Sequence, residues 1–328
     1  LPLIDISPFL TWKASPDSRA HIAAHLAAAC RTHGAFYLTG HGIPRATTSH
    51  LLSLARRFFL ENSPAEKAQI ARQAPGAGDE DGVRGYQARG GDVVGRRRSW
   101  REVVDVYREG GGGAADGLLE GRERWPERHE EMREAVEGYV GRVRGVGRAV
   151  VRAMGVALGL GVGVGVLEGG TEGAWVLRLV GYPSLPEEGE ENGEDEKEGD
   201  GDDGEQYSCD AHTDYGCVTL LLADATAAAL QVQLKDGTWI DANPIDDAYI
   251  VTIGDIMERW TNGVWQSTTH RVIHRGDTYR VNVPFFFEPA LDAVIRPLDA
   301  CIKASGEPPK YGKIVYRDHL FAKMKGNF

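Results

Sequence analysis

Ala211-His212-Thr213-Asp214-Tyr215-Gly216, together with Gln266-Ser267-Thr268-Thr269-His270-Arg271-Val272 further along, decides how the rest of this chain is read. If the first stretch is extended, His212 and Asp214 fall on one face, because side chains two apart along a strand point the same way. The surroundings favour extension. From Ala174 onward the chain is a series of short segments, near 175–182, 216–222, 229–234, 238–242, 248–253, 267–274 and 279–287. They are rich in β-branched, aliphatic and aromatic residues and are divided by turns such as Lys235-Asp236-Gly237. Many short strands at even spacing predict a sandwich or barrel of the jelly-roll kind.

Upstream of that core the pattern is mainly helical. Ala20 to Arg31 is rich in Ala and Leu, with Gly34 just beyond as a stop signal. Ser63-Pro64-Ala65-Glu66 places a capping residue, a proline and a glutamate in the order that starts a helix. Glu127 to Leu160 follows the helical period, although each interior glycine costs about 1 kcal/mol relative to alanine. Pro2 to Ile6 and Phe36 to Thr39 read as strands, the second leading into the turn Gly40-His41-Gly42, and Gly110 to Gly113 reads as a flexible break. The expected fold class is α+β, with a helical amino-terminal scaffold over residues 1–170 and a jelly-roll core over residues 171–328.

The net charge of −11 is local. Glu187 to Gln206 holds twelve acids and one lysine, which leaves 36 acidic against 36 basic residues elsewhere. That segment has no aromatic or β-branched residue and reads as a solvated insertion loop. A neutral body without a basic stripe argues against nucleic acid as a partner. The most apolar stretch, Gly138 to Val166, carries Arg142, Arg144, Arg148 and Arg152, which argues against a membrane span. Cys30, Cys209, Cys217 and Cys301 lack metal or disulfide-framework spacing and read as free thiols, so a cytoplasmic location is the default expectation. No obligate protein partner is evident.

His270 supplies what an isolated His-x-Asp triplet lacks. Two histidines and one carboxylate can form a facial triad with open coordination positions, the arrangement suited to Fe(II) that binds a cosubstrate and oxygen together. Zinc stays open as the alternative ion, since open zinc sites also use two histidines and one carboxylate, though usually through His-Glu-x-x-His on a helix, which is absent here. In Tyr279-Arg280-Val281-Asn282-Val283-Pro284-Phe285-Phe286, Arg280 and Asn282 share a strand face. An arginine turned into an apolar barrel needs an anion, and a dicarboxylate would supply one through a bidentate pair.

On these residues the chain resembles the isopenicillin-N-synthase-like branch of the Fe(II)/2-oxoglutarate-dependent dioxygenases, whose core is a distorted double-stranded β-helix. The resemblance also takes in Pro2-Leu3-Ile4-Asp5-Ile6, Gly34 to Pro44, Arg84-Gly85-Tyr86-Gln87, Leu230-Gln231-Val232, Asp236 to Ile240 and Gly254-Asp255, in the family's order. It implies Fe(II) held by His212, Asp214 and His270, with 2-oxoglutarate and O2 as cosubstrates. It implies Arg280, Asn282 and Tyr182 at the 2-oxoglutarate carboxylate, and Arg84, Tyr86, Leu221 and Phe286 on the substrate side. His41 is expected to belong to the turn, and His274 to lie behind the site or be exposed. The expected reaction is hydroxylation, desaturation or oxidative ring closure of a small molecule, such as a carboxylate-bearing amino acid or a product of secondary metabolism.

The resemblance departs from the family at two positions. Asn282 stands where the family commonly has serine, and Val180 where plant relatives often carry asparagine. Two alternatives therefore stay open: a 2-oxoglutarate-independent non-haem iron oxidase or cyclase of the same fold, and a non-catalytic jelly-roll binding protein.

Overall fold

A computed structural model describes residues 1–73, 83–91, 93–94, 97–108, 121–160, 173–186 and 207–325. The acidic segment 187–206 and the Gly110 to Gly113 break lie outside these residues. The chain opens with β1 (Leu3–Asp5), α1 (Ser7–Leu10), α2 (Pro16–Thr32), β2 (Ala35–Thr39), α3 (Arg45–Glu61) and α4 (Pro64–Ala68). Next come β3 (Gly85–Gln87), β4 (Val93–Val94), β5 (Arg97–Arg98), β6 (Glu102–Tyr107) and the long α5 (Glu131–Ala157). The core follows as β7 (Trp175–Tyr182), β8 (Cys209–His212), β9 (Val218–Ala223), β10 (Leu230–Gln233), β11 (Trp239–Asp241) and β12 (Tyr249–Ile253). The chain then runs through α6 (Asp255–Trp260), β13 (His270–Val272), β14 (Arg280–Phe287), β15 (Val294–Ile295), α7 (Asp299–Ser305), β16 (Ile314–Val315) and α8 (Tyr316–Lys325).

Local chemistry accounts for the helix starts. The Ser15 side chain accepts from the Ser18 amide with Pro16 in the first turn, and Ser63 and Glu66 form a complete capping box. After α2, Gly34 takes a φ of +69°, a conformation that costs glycine least. In α5, Gly147 faces β14, where an added Cβ would come within 2.6 Å of the Phe287 ring. That glycine is a packing requirement and not merely a helix-weakening residue.

Eight strands form the major sheet, in the order β1-β2-β12-β9-β14-β7-β6-β3, and four form the minor sheet, β11-β10-β13-β8. The eight-stranded sheet takes β1, β2, β3 and β6 from the first 170 residues and joins them directly to strands of the later core. β14 lies at its middle, antiparallel to both β7 and β9, and alternation sorts its side chains. Val281, Val283, Phe285 and Phe287 enter a core shared with α2, α3 and α5. A second core lies between the sheets, joining Tyr37, Val103, Val180, Tyr182 and Ile250 of the major sheet to Cys209, Leu230, Val232 and Val272 of the minor one. The molecule is thus a jelly roll whose major sheet is backed by helices, and Arg280, Asn282 and Phe286 occupy the β14 face opposite those helices. No described helix is long and apolar enough to cross a membrane.

Candidate metal centre and active-site cavity

The minor sheet sets the two histidines side by side. His212, the last residue of β8, is the register partner of His270, the first of β13, and their ring centroids lie 4.3 Å apart. Asp214 does not continue the strand: β8 ends at His212, so the expected strand placement of the whole His-x-Asp triplet is corrected to a strand end followed by a loop. What aims the carboxylate is tertiary. Asp214 Oδ2 accepts from Thr219 Oγ1 at 2.6 Å and from Thr252 Oγ1 at 2.9 Å, both on the major sheet. Oδ1 remains available, 3.7 Å from His270 Nε2.

Both imidazoles are oriented from behind. His212 Nδ1 lies 2.8 Å from the Asp210 carbonyl and His270 Nδ1 2.9 Å from the Thr268 carbonyl, so each donates there. That fixes the tautomer in which the Nε2 lone pair faces the site, as a metal requires. Burial lowers both imidazole pKa values against the opposing pull of Asp214, favouring the neutral ligating form. One ligand atom from each of His212, Asp214 and His270 lies within 4.8 Å of the others. Two neutral imidazoles and one carboxylate at this spacing fit a divalent cation.

The second polar feature inside the barrel is Arg280, 1% exposed. It is the register partner of Tyr182, whose ring lies 4.7 Å from the guanidinium carbon. With its oxygen turned toward the guanidinium, the Asn282 amide accepts from Nη1 and Nη2 at 3.1 Å each. Arg280 Nε has no hydrogen-bond partner, and Arg280 forms no ion pair among the described residues. A buried guanidinium without a carboxylate is costly, and a dicarboxylate ligand would relieve that cost. Leu221 pairs with Ile250 and Pro284 and packs against the core between the sheets.

A cavity opens at His212, Thr213 and Asp214. Phe286 lines it, together with Arg72, Arg101 and Arg178, the acid Glu288, and Leu320 and Met324 of α8. Asp105, fully buried, accepts from Arg178 Nε at 2.6 Å and from Arg72 Nη2 at 2.7 Å. Burial pushes the Glu288 carboxyl up to about 8, although the Tyr316 hydroxyl pulls the other way.

Arg84 and Tyr86, expected on the substrate side, are placed elsewhere. Arg84 is buried in an ion pair with Glu123 and lies over the Tyr107 ring at 5.4 Å. The Tyr86 hydroxyl donates to Glu102, which also receives Lys67 Nζ and the Tyr279 hydroxyl, each at 2.8 Å. His41 stays within its turn, accepting from the Ile43 amide at 3.1 Å. His274 is 2% exposed and bonds the Thr278 carbonyl at 2.6 Å, so it is a buried turn residue and not an exposed one.

Arg178 and Glu288 were missed although alternation carried a signal. Arg178 has the parity of Val180 and Tyr182 on β7, and Glu288 continues the parity of Arg280, Asn282 and Phe286 on β14. Leu320 and Met324 lie four apart on one helix face, but nothing local says what that face covers.

Two family models match the chain: the 2OG-Fe(II) oxygenase superfamily over residues 182–289, and the non-haem dioxygenase in morphine synthesis N-terminal family over residues 1–128. A homoarginine-6-hydroxylase of Arabidopsis thaliana is 36% identical over 100% of this chain and 97% of its own length. A homoarginine-6-hydroxylase of rice, Oryza sativa subsp. japonica, is 34% identical over 100% of this chain and 97% of its own length. Among solved structures, a 2OG-Fe(II) oxygenase family protein from Caulobacter crescentus superposes with a TM-score of 0.79 at 24% identity, covering 99% of this chain and 99% of that one.

Proposed function

The chain belongs to the 2OG-Fe(II) oxygenase superfamily and is a 2-oxoglutarate-dependent dioxygenase acting on small molecules, and from that premise we propose that it hydroxylates an amino-acid-like substrate. In this reading His212, Asp214 and His270 hold Fe(II), and Arg280 receives the distal carboxylate of 2-oxoglutarate beside the Tyr182 ring. Iron held there would supply oxygen activation coupled to the oxidative decarboxylation of 2-oxoglutarate to succinate and carbon dioxide. The chain's own residues orient and enclose. Thr219 and Thr252 fix the Asp214 carboxylate, the Asp210 and Thr268 carbonyls fix the imidazoles, and Phe286 with Val176 gives the cavity an apolar wall.

The observation that carries the substrate class is an excess of positive charge at the cavity that opens at the triad: Arg72, Arg101 and Arg178 line it, and Arg72 and Arg178 share the single carboxylate of Asp105. Planar guanidinium forks match a substrate carboxylate bidentately. The full-length similarity to homoarginine hydroxylases supports an amino acid. Asn282, which left the 2-oxoglutarate-independent alternative open, is neutral and leaves the Arg280 charge available to a dicarboxylate. We also infer a cytoplasmic location, for which the scattered spacing of Cys30, Cys209, Cys217 and Cys301 is the support.

The test is a panel of small carboxylate-bearing molecules, each incubated with enzyme, Fe(II), 2-oxoglutarate and air. Succinate release matched one-to-one by a product carrying one added oxygen is expected for an amino acid. Equal turnover of analogues lacking the carboxylate would remove the substrate reading, and sustained turnover without 2-oxoglutarate would favour the oxidase alternative.

A further inference from the structure

Glu288 follows directly on β14 and lines the cavity, as do Tyr215, Leu320 and Met324. It is 6% exposed, yet among the described residues it makes no ion pair with lysine, arginine or histidine, and its carboxylate accepts a single hydrogen bond, from the Tyr316 hydroxyl to Oε2. Oε1 has no partner among them. The loop after Asp214 makes room for it, since any Cβ on Gly216 would collide with the Glu288 carboxylate. Glutamine would accept the Tyr316 bond equally well without the cost of burying an acid that lacks a cation, so the acid form is explained by something other than the internal contact. Leu320 and Met324 line the same cavity and offer apolar surface to a methylene stem.

We propose that Glu288 is the specificity-determining residue that receives a guanidinium or ammonium group of the substrate, so that the substrate is an amino acid with a positively charged side chain. This rests on the reading that the substrate is amino-acid-like. A guanidinium would bridge Oε1 and Oε2 in a desolvated pocket, where losing the acidic partner costs the ligand most.

The experiment is calorimetric titration of the Fe(II) and 2-oxoglutarate-loaded enzyme under nitrogen. The probes are ornithine, lysine, arginine, its one-carbon-longer homologue, and the neutral citrulline and norleucine. The wild type is expected to bind at least one cationic probe roughly 30-fold more tightly than the neutral ones. In Glu288→Gln that preference should collapse to near unity while 2-oxoglutarate affinity is kept. Tyr316→Phe removes only the internal hydrogen bond and should keep the preference. If Glu288→Gln keeps the preference, or Tyr316→Phe loses it to the same extent, Glu288 is structural and the proposal is overturned. Neutral probes binding as well as cationic ones in the wild type would overturn it too, with the amino-acid reading intact. Binding of none of the probes would overturn both.

Discussion

Each imidazole of the triad spends Nδ1 on a main-chain carbonyl and Asp214 spends Oδ2 on two threonine hydroxyls, so three ligand atoms are left facing one point. Removing any one ligand leaves a pair that cannot fix a metal in open geometry. His212→Ala, Asp214→Ala and His270→Ala are each expected to abolish turnover and bind Fe(II) far more weakly, with circular dichroism unchanged. Normal iron content in any of them would remove that residue from the ligand set. Thr252→Val takes one of two hydrogen bonds from Asp214 and should weaken metal affinity by roughly 10-fold, the usual cost of an outer partner. For the cosubstrate, Arg280→Ala strands a dicarboxylate in a poorly solvated pocket. A loss of ~3–4 kcal/mol corresponds to roughly 10²–10³-fold weaker 2-oxoglutarate affinity. Fe(II) binding should survive, and Asn282→Ser should be far milder because serine can also meet the guanidinium. An unchanged 2-oxoglutarate requirement in Arg280→Ala would place the cosubstrate elsewhere.

At the scale of elements, α5 is both a weak helix by composition and the support of the central strand. Gly141 and Gly147 lie in the same helix, but a Cβ at Gly141 meets nothing within 4 Å, whereas one at Gly147 presses on Phe287. Helix propensity alone favours alanine at both by about 1 kcal/mol. Gly141→Ala should therefore raise the denaturation midpoint. Gly147→Ala should lower stability by about 1–3 kcal/mol, since overpacking at β14 exceeds the propensity gain. Equal shifts in the two variants, measured by urea unfolding, would contradict the described packing. α8 is held by a different chemistry. Its Lys323 lies 2.8 Å from Asp255 at the start of α6, and that charged contact holds the helix whose Leu320 and Met324 line the cavity.

The whole molecule carries its net charge of −11 in the segment 187–206, between β7 and β8. A run without aromatic or β-branched residues has nothing to bury, so the two sheets and the triad are expected to form without it. Replacing Glu187 to Gln206 with a short glycine linker should leave the melting temperature and turnover nearly unchanged. Loss of substrate selectivity with iron binding preserved would make the segment a functional lid instead.

Periodicity and residue type, which are local, were enough to determine the succession of short strands after Ala174 and the capped starts of helices such as α4. Their signals need only neighbours two to four residues away. The tertiary structure alone decided where the partners lie. Asp214 leaves its strand and is aimed by Thr252, 38 residues on, and β1, β2, β3 and β6 become strands of the core sheet. Arg84, expected on the substrate side, is instead closed off by Glu123, 39 residues away, while Glu288, one residue past the strand expected over 279–287, lines the cavity with Leu320 and Met324 of α8. Such pairings depend on which surfaces meet when the chain closes on itself, and that is set by the free energy of burying the two cores together and not by any local pattern.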